Sequence, residues 1–558
     1  MPGCTARSKC APPPCPHSKN TSGPGTDPSH LGRRAFLGVL GSGALATALP
    51  LGLRPEALLP SAREARRRAA EPFLRRLPIP EVLRDSQLTI PIREAEVQIL
   101  PGEKTRMWTY GGTFPGPTIR RPAGRRTEVT FLHRLPASAG ELTVHLHGGH
   151  SRTQFDGQPG GLTRSHPRSF YCRIPRGLTP RESGNDVLIE PGGRRTYAYD
   201  LMEGGEPERA AFQWYHDHRL DRTAHNVWRG LAGMWIIDDA FDAGLPLPSG
   251  DRDLALMIGD RSFDRHNQLT DPFTNRRPPA DGIEGRTILV NGAHMPYHRV
   301  SAKRYRLRIL NVSQFRPYNL FLSNGAPFVQ IATESGMMPR PVRRQEVMIG
   351  PAERVELVVD FAGAAGERVE LRSGPRHGKR NPPGTRPYVG ALMQFRVDSR
   401  RRPDRTRVPR RLRPLPEWTK RISSTPKRRF EISIGGAFKT VWLINGHTFN
   451  PARADAHPKL GSVETWEIVN RTGVAHMMHI HLTDWLLLSR NGKPPPPWED
   501  CLKETFFIYP NERLVLAGRF VDHLGKFVMH CHMLDHEDHG LMTQFQVVKN
   551  KRPASAGR

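Results

Sequence analysis

From residue 85 onward the chain keeps a two-residue beat. Leu88-Thr89-Ile90, Thr127-Glu128-Val129-Thr130-Phe131 and Leu142-Thr143-Val144-His145-Leu146-His147 place an apolar side chain at every second position. That is the period of a strand with one buried face. Val97-Gln98-Ile99-Leu100, Thr196-Tyr197-Ala198-Tyr199 and Gly233-Met234-Trp235-Ile236-Ile237 extend the first set. A second set follows, with Leu254-Ala255-Leu256-Met257-Ile258 and Tyr305-Arg306-Leu307-Arg308-Ile309-Leu310. A third opens at Phe430-Glu431-Ile432-Ser433-Ile434. Short strands of this kind, divided by turn residues, predict an all-β chain of stacked sandwich or barrel units.

The second and third sets repeat one another. Ile288-Leu289-Val290-Asn291-Gly292 matches Trp442-Leu443-Ile444-Asn445-Gly446. Each precedes a charge-alternating strand that closes on asparagine, at Asn311 and Asn470. The first set offers Gly116-Pro117-Thr118-Ile119 and the 127–131 strand in corresponding roles. The expected organisation is a leader at 1–48, an arm at 49–84, and units at 85–245, 246–399 and 430–558, the last with a short basic tail. A basic, Pro-rich surface linker is expected at 400–429.

Composition fits this reading. At 558 residues the chain is too long for one core. With 53 Pro, 52 Gly and 37% hydrophobic residues, it suits loop-rich sheets better than a helical bundle. The formal charge of +29 would suit an anionic partner, but the basic residues are scattered and their densest run falls in 400–429. No nucleic-acid role is expected. Arg33-Arg34 ahead of an uncharged Gly/Ala-rich run resembles a twin-arginine export signal, with Ala46-Thr47-Ala48 as cleavage site. Gly41, Gly43, Pro50 and Gly52 make that run a poor membrane span. The expected location is periplasmic or secreted, reached through the twin-arginine machinery, with no membrane span in the mature chain. Of six cysteines, Cys4, Cys10 and Cys15 fall in the leader. In an oxidising compartment Cys172 and Cys501 could form a disulfide, leaving Cys531 single.

The candidate chemistry lies in histidine spacing. Chance placement of 24 His would give about one His-x-His pair. The chain has four: His145/His147, His216/His218, His479/His481 and His530/His532. On an extended segment each pair puts two imidazoles on one face. Cys531 would face the other way, with His536 five residues on, and thiolate with imidazole is a donor set that copper favours. Alone, the 527–542 stretch could equally be a His-rich surface strand with a structural cysteine. Two pairs lie in the first unit and two in the third, so a shared site must form where these units meet.

The sequences His145-Leu146-His147-Gly148, Trp214-Tyr215-His216-Asp217-His218, His476-Met477-Met478-His479-Ile480-His481 and His530-Cys531-His532 with His536 resemble the four copper motifs of three-domain multicopper oxidases. The likeness spans roughly 85–548. Phe155-Asp156-Gly157 and His536-Glu537-Asp538 bring it nearest to spore-coat laccases, bilirubin oxidases and phenoxazinone synthases. It implies three cupredoxin-like Greek-key domains and four copper ions. By resemblance His476, Cys531 and His536 hold a type 1 copper, and His145 and His479 a type 2 copper. His147, His216, His218, His481, His530 and His532 would hold a type 3 pair. The implied reaction oxidises phenolic, aromatic or bilirubin-like donors one electron at a time, passes electrons through Cys531, and reduces dioxygen to water. A Cu(I), Fe(II) or Mn(II) oxidase is the alternative, and a non-enzymatic envelope protein of the same family a third. A monomer is expected. Asp156 and Glu537 could deliver protons or orient ligand histidines. Two features depart from relatives. Met477 stands where many have Pro, and Leu541 stands where bilirubin oxidases carry an axial Met. Leu541 is therefore a non-coordinating axial residue unless Met542 takes its place.

Overall fold

The expected beat is realised among the described residues as seven sheets, six of which pair off around three apolar cores. The computed structural model describes residues 72–550, except 170, 171, 173, 274–281, 376–383 and 436–440. The twin-arginine signal and its cleavage site lie outside the described residues. Those described all fall in one contact unit, Pro60–Arg558. None of their helices is long and apolar enough to cross a membrane.

In the first pair, a five-stranded sheet holds Gly116–Pro122, Val144–His147, Ala211–Asp217 and Ala232–Asp238. A four-stranded sheet holds Gln87–Val97, Thr105–Tyr110, Thr127–His133 and Arg194–Tyr199. Ile90, Ile92, Val129 and Phe131 from one meet Ile119, Val144, Leu146 and Trp235 from the other. The second pair shares Leu256, Ile258, Leu307 and Leu357 with Leu320, Leu371 and Phe395. The third shares Ile432, Trp466, Ile468 and Leu516 with Met478, Ile480, Phe527 and Phe545. Each fully buried side chain of this size contributes about 1.5–3 kcal/mol, which is why the period-two pattern fixes which face turns inward.

All three pairs share one parallel step. Gln87–Val97 runs parallel to Thr127–His133, Asp253–Arg261 to Arg304–Asn311, and Arg428–Gly435 to Ser462–Asn470. The repeated asparagines explain part of that likeness. Asn291 and Asn445 both adopt positive φ (49° and 52°), each followed by a positive-φ glycine that turns the hairpin. The Asn291 carboxamide accepts from Met257 N at 2.7 Å, and that of Asn445 accepts from Glu431 N at 2.8 Å. Each thereby ties its turn to the neighbouring strand. Asn311 and Asn470 close the next strand alike, accepting from Ser313 N and Thr472 N at 2.9 Å.

Two expectations need correcting. Residues 97–100 form no separate strand, because Val97 ends the eleven-residue strand Gln87–Val97. The 400–429 segment has little regular structure, but it is more than a surface linker. Leu412 packs with Leu247, Ile331 and Met337, and Trp418 with Leu486, Leu502 and Ala517.

Candidate metal centre

Four chain segments bring eight imidazoles together. Val144–His147 pairs antiparallel with Ala211–Asp217, setting His145 opposite His216. His476–Ile480 pairs antiparallel with Gly525–Cys531, setting His479 opposite His530. The first ladder belongs to the first pair of sheets and the second to the third, so the histidines meet between them. Side-chain alternation does the sorting. His530 Nε2 lies 3.1 Å from His218 Nε2 and 3.2 Å from His481 Nε2. The His532 ring centroid is 4.7 Å from that of His147. Cys531, between them, turns the other way: its Sγ is 3.7 Å from His476 Nδ1 and 3.8 Å from His536 Nδ1. Those two nitrogens are 3.2 Å apart. The remaining pairs stack across the interface, His145 on His481 at 3.9 Å and His147 on His479 at 3.7 Å.

All ten histidines are buried. Burial, reinforced by neighbouring imidazoles, lowers the pKa of His216 to about 3 and His218 to about 4. Burial also holds His145, His147, His476, His479, His481 and His532 well below their ordinary range. Neutral imidazoles keep the lone pair that a metal needs. Burial likewise pushes the Cys531 thiol up, so a bound cation would have to displace its proton.

The hydrogen bonds show which nitrogens are left to bind. His145 Nδ1 is 2.5 Å from Asp156 O, His216 Nδ1 2.8 Å from Asp217 O, and His479 Nδ1 3.1 Å from Glu504 O. In each ring Nε2 is buried with no hydrogen-bond partner. An unpaired buried polar atom costs about 1–3 kcal/mol. Three such atoms, beside three further Nε2 atoms converging within 3.2 Å, fit coordinated cations and little else. The donors, imidazole throughout with one thiol, suit copper.

Carboxylates brace the outer nitrogens. Asp156 Oδ2 is 2.8 Å from His481 Nδ1, while Glu537 Oε2 is 2.9 Å from His530 Nδ1. Burial raises Asp156 well above the usual carboxylate range. Burial opposes charge on Glu537 too, but His530 and His218 hold it low. Both therefore sit where they fix the orientation of histidines. Glu504, which the sequence reading missed, does the same for His147: its Oε1 lies 3.0 Å from His147 Nε2. It also accepts from Arg354 Nη1 at 2.5 Å and Thr505 Oγ1 at 2.9 Å.

Around Cys531 the walls are apolar. Trp442 lies 4.5 Å from the His536 ring, and Leu541 shares the cluster of Cys531, Met477 and Met533. The Leu541 backbone clasps this site, its carbonyl accepting from Cys531 N and its N–H donating to His536 O, both at 3.0 Å. Met542 points elsewhere and packs with Cys172, Leu220, Phe449 and Val528. Met542 opens the strand Met542–Val547 and belongs to a different cluster from Cys531 and Leu541. The Cys172–Cys501 disulfide is likewise absent. Both are buried free thiols, Cys172 beside Met542 and Cys501 with Sγ 3.8 Å from Trp498 O.

Residues 421–551 and 91–167 match two multicopper oxidase family models. A laccase from Bacillus stratosphericus is 31% identical over 86% of this chain and 99% of its own length. Bilirubin oxidase from Albifimbria verrucaria is 31% identical over 78% and 72% respectively. Among solved structures, a laccase from Pediococcus acidilactici superposes with a TM-score of 0.71 at 27% identity, covering 85% of this chain and 94% of that one. The McoA multicopper oxidase of Aquifex aeolicus gives 0.70 at 27% identity, with 85% and 99% covered. The chain belongs to the multicopper oxidases, copper-dependent cupredoxin-fold enzymes that oxidise their substrates with dioxygen.

Proposed function

We propose that this chain is a laccase-like oxidase with a type 1 copper site and a separate three-copper site, built on units at 85–245, 246–399 and 430–558. His476, Cys531 and His536 would hold the first copper. His145 and His479 would hold a type 2 ion, with His147, His216, His218, His481, His530 and His532 holding a type 3 pair. Copper bound there would supply one-electron acceptance from a donor and four-electron reduction of dioxygen to water. The supporting observation is the split around Cys531, whose Sγ faces His476 and His536 while His530 faces His218 and His481.

The protein's own part is positioning and proton handling. Cys531 is joined through its backbone to both His530 and His532, giving a covalent route between the two sites. Burial pushes the Asp156 carboxyl up while His530 and His218 hold Glu537 down, opposite shifts that suit a proton donor and a proton acceptor. Phenolic or bilirubin-like donors are favoured by the 31% identity to a laccase and a bilirubin oxidase. A twin-arginine leader at 1–48 would export the chain folded and already loaded with metal.

Oxygen uptake by copper-loaded protein, compared across a phenol, bilirubin, Cu(I), Fe(II) and Mn(II), tests the substrate class. Turnover should be highest with the organic donors; selective turnover of one metal ion would reverse that assignment. Cys531→Ser should abolish both the blue colour and donor oxidation.

A further inference from the structure

A cavity of about 190 Å³ opens between the second and third sets of sheets, and none of the ten clustered histidines lines it. Phe507, on the strand Thr505–Ile508, and Tyr509, just beyond it, form one wall. Their rings stack at 5.7 Å with planes 9° apart. Val347, Ile349 and Pro496 add apolar surface. Pockets for drug-sized ligands usually span roughly 300–1,000 Å³, so a space this small suits a molecule with a single ring.

Four cations border this space, and three of them are matched by carboxylates. Arg490 donates through Nε and Nη2 to the two oxygens of Glu499, at 2.7 and 2.8 Å, and through Nη1 to Glu512 at 3.0 Å. Lys503 pairs with Glu353 at 3.0 Å and Glu334 at 3.2 Å, and Arg354 pairs with Glu504. Glu353 Oε2 also accepts from Gly350 N at 2.7 Å. The two carboxylates that border the cavity, Glu353 and Glu499, are therefore already held by cations. Arg344 is the exception. Its Nη1 donates to Gln330 Oε1 at 2.9 Å, and its guanidinium lies 4.1 Å from the centre of the Trp498 ring. Gln330 in turn donates to Trp498 O at 3.3 Å, which fixes the arginine between two sets of sheets. No described residue accepts from its Nε or Nη2, and no described carboxylate pairs with it. Burial lowers its pKa to about 10 against the pull of Glu499, Glu346 and Glu353, and it stays charged at neutral pH. The half-buried Tyr509 hydroxyl also lacks a partner among the described residues, and burial pushes its pKa up, so it remains a donor.

We propose that this cavity is a binding site for a small aromatic carboxylate. Nε and Nη2 form one edge of the Arg344 guanidinium, with two parallel N–H bonds at the spacing of a carboxylate's oxygens. The ligand's carboxylate takes that edge, its ring lies against Phe507 and Tyr509, and the Tyr509 hydroxyl supplies a further donor. The charge is met by a cation already stacked on Trp498, so little ordering is left for the ligand to bring about. Binding makes and breaks no covalent bond, and the site stands whichever donor the oxidase uses.

The test is calorimetric titration of copper-loaded full-length protein with benzoate, in the absence of any electron donor. One molecule per chain should bind, with a Kd of about 1 mM or tighter. Benzyl alcohol keeps the ring without the charge and acetate keeps the charge without the ring, so each should bind at least about tenfold more weakly. Arg344→Gln should weaken benzoate by about tenfold or more, and Tyr509→Phe by about threefold. Arg344→Lys keeps the charge but loses the two-donor edge, and should stay weaker than the parent by about threefold or more. Benzoate bound by Arg344→Gln with parental affinity would mean that it sits elsewhere, the coppers included, and the proposal fails. Equal binding of acetate or benzyl alcohol, or no saturation up to about 10 mM benzoate, would overturn it as well. If Arg344→Gln does not fold, Tyr509→Phe decides: a weakened titration supports the site and an unchanged one removes it.

Discussion

Leu541 shows how one side chain sets the character of the sulfur site. Its backbone holds Cys531 and His536, so the position is structurally fixed whatever side chain it carries. A hydrocarbon there donates no electron pair, so a copper held by His476, Cys531 and His536 would keep three strong donors and favour its reduced form. Leu541→Met should therefore lower the type 1 potential with Cys531, His476 and His536 retained; redox titration of the blue band measures it, and an unchanged or higher value would refute the argument. Met542 is no substitute, because it packs with Cys172 and Val528 on the other face. The convergence of the histidine and Cys531 side chains was legible as spacing, since a strand's alternation converts His-Cys-His into two opposed faces. Glu504 was not. It lies 357 residues from His147, and only the fold discloses that a buried carboxylate meets that ring.

At the scale of elements, the short helices around the site show what local pattern conceals. Thr223–Arg229 begins at Arg222 with no side-chain cap of its own. Its first amides are satisfied from elsewhere: Asp538 accepts from Thr223 N at 3.1 Å and Ala224 N at 2.9 Å. Glu537, next to it, accepts from Thr223 Oγ1 at 2.8 Å. The helix Leu534–Asp538 thus caps another helix and braces His530 at once. Asp538→Ala removes two such bonds, and the stability loss should be about 0.5–2 kcal/mol, read as a lowered midpoint in thermal or denaturant unfolding. An unaltered midpoint would show that water replaces the cap. Strand periodicity predicted most sheet elements because alternation is a local signal. It failed at 97–100, where alternation continues past the strand's last rung at Val97. A cap supplied by a residue more than 300 positions away leaves no local signal.

The whole molecule is held at the metal centre by a buried cation that touches all three sets of sheets. Arg354 begins the strand Arg354–Asp360 of the second set. Its Nε donates to Phe212 O in the first set at 2.8 Å, and its Nη1 donates to Glu504 Oε1 in the third. The side chain is fully buried, and Glu504 is 3% exposed. A charge pair this dry gains little over an apolar pair of the same shape, but breaking one side strands the other charge. Arg354→Met should then cost about 3–5 kcal/mol. For a chain of 558 residues, with roughly 2.1 cal/mol/K of unfolding entropy per residue, that is a fall in midpoint of about 3–4 °C. Arg354→Met combined with Glu504→Gln removes both charges, so it should be less destabilised than the sum of the single variants. A double-mutant cycle on thermal midpoints measures the difference. Strict additivity would mean that the two residues stabilise separate neighbours, and that this ion pair does not tie the three sets of sheets together.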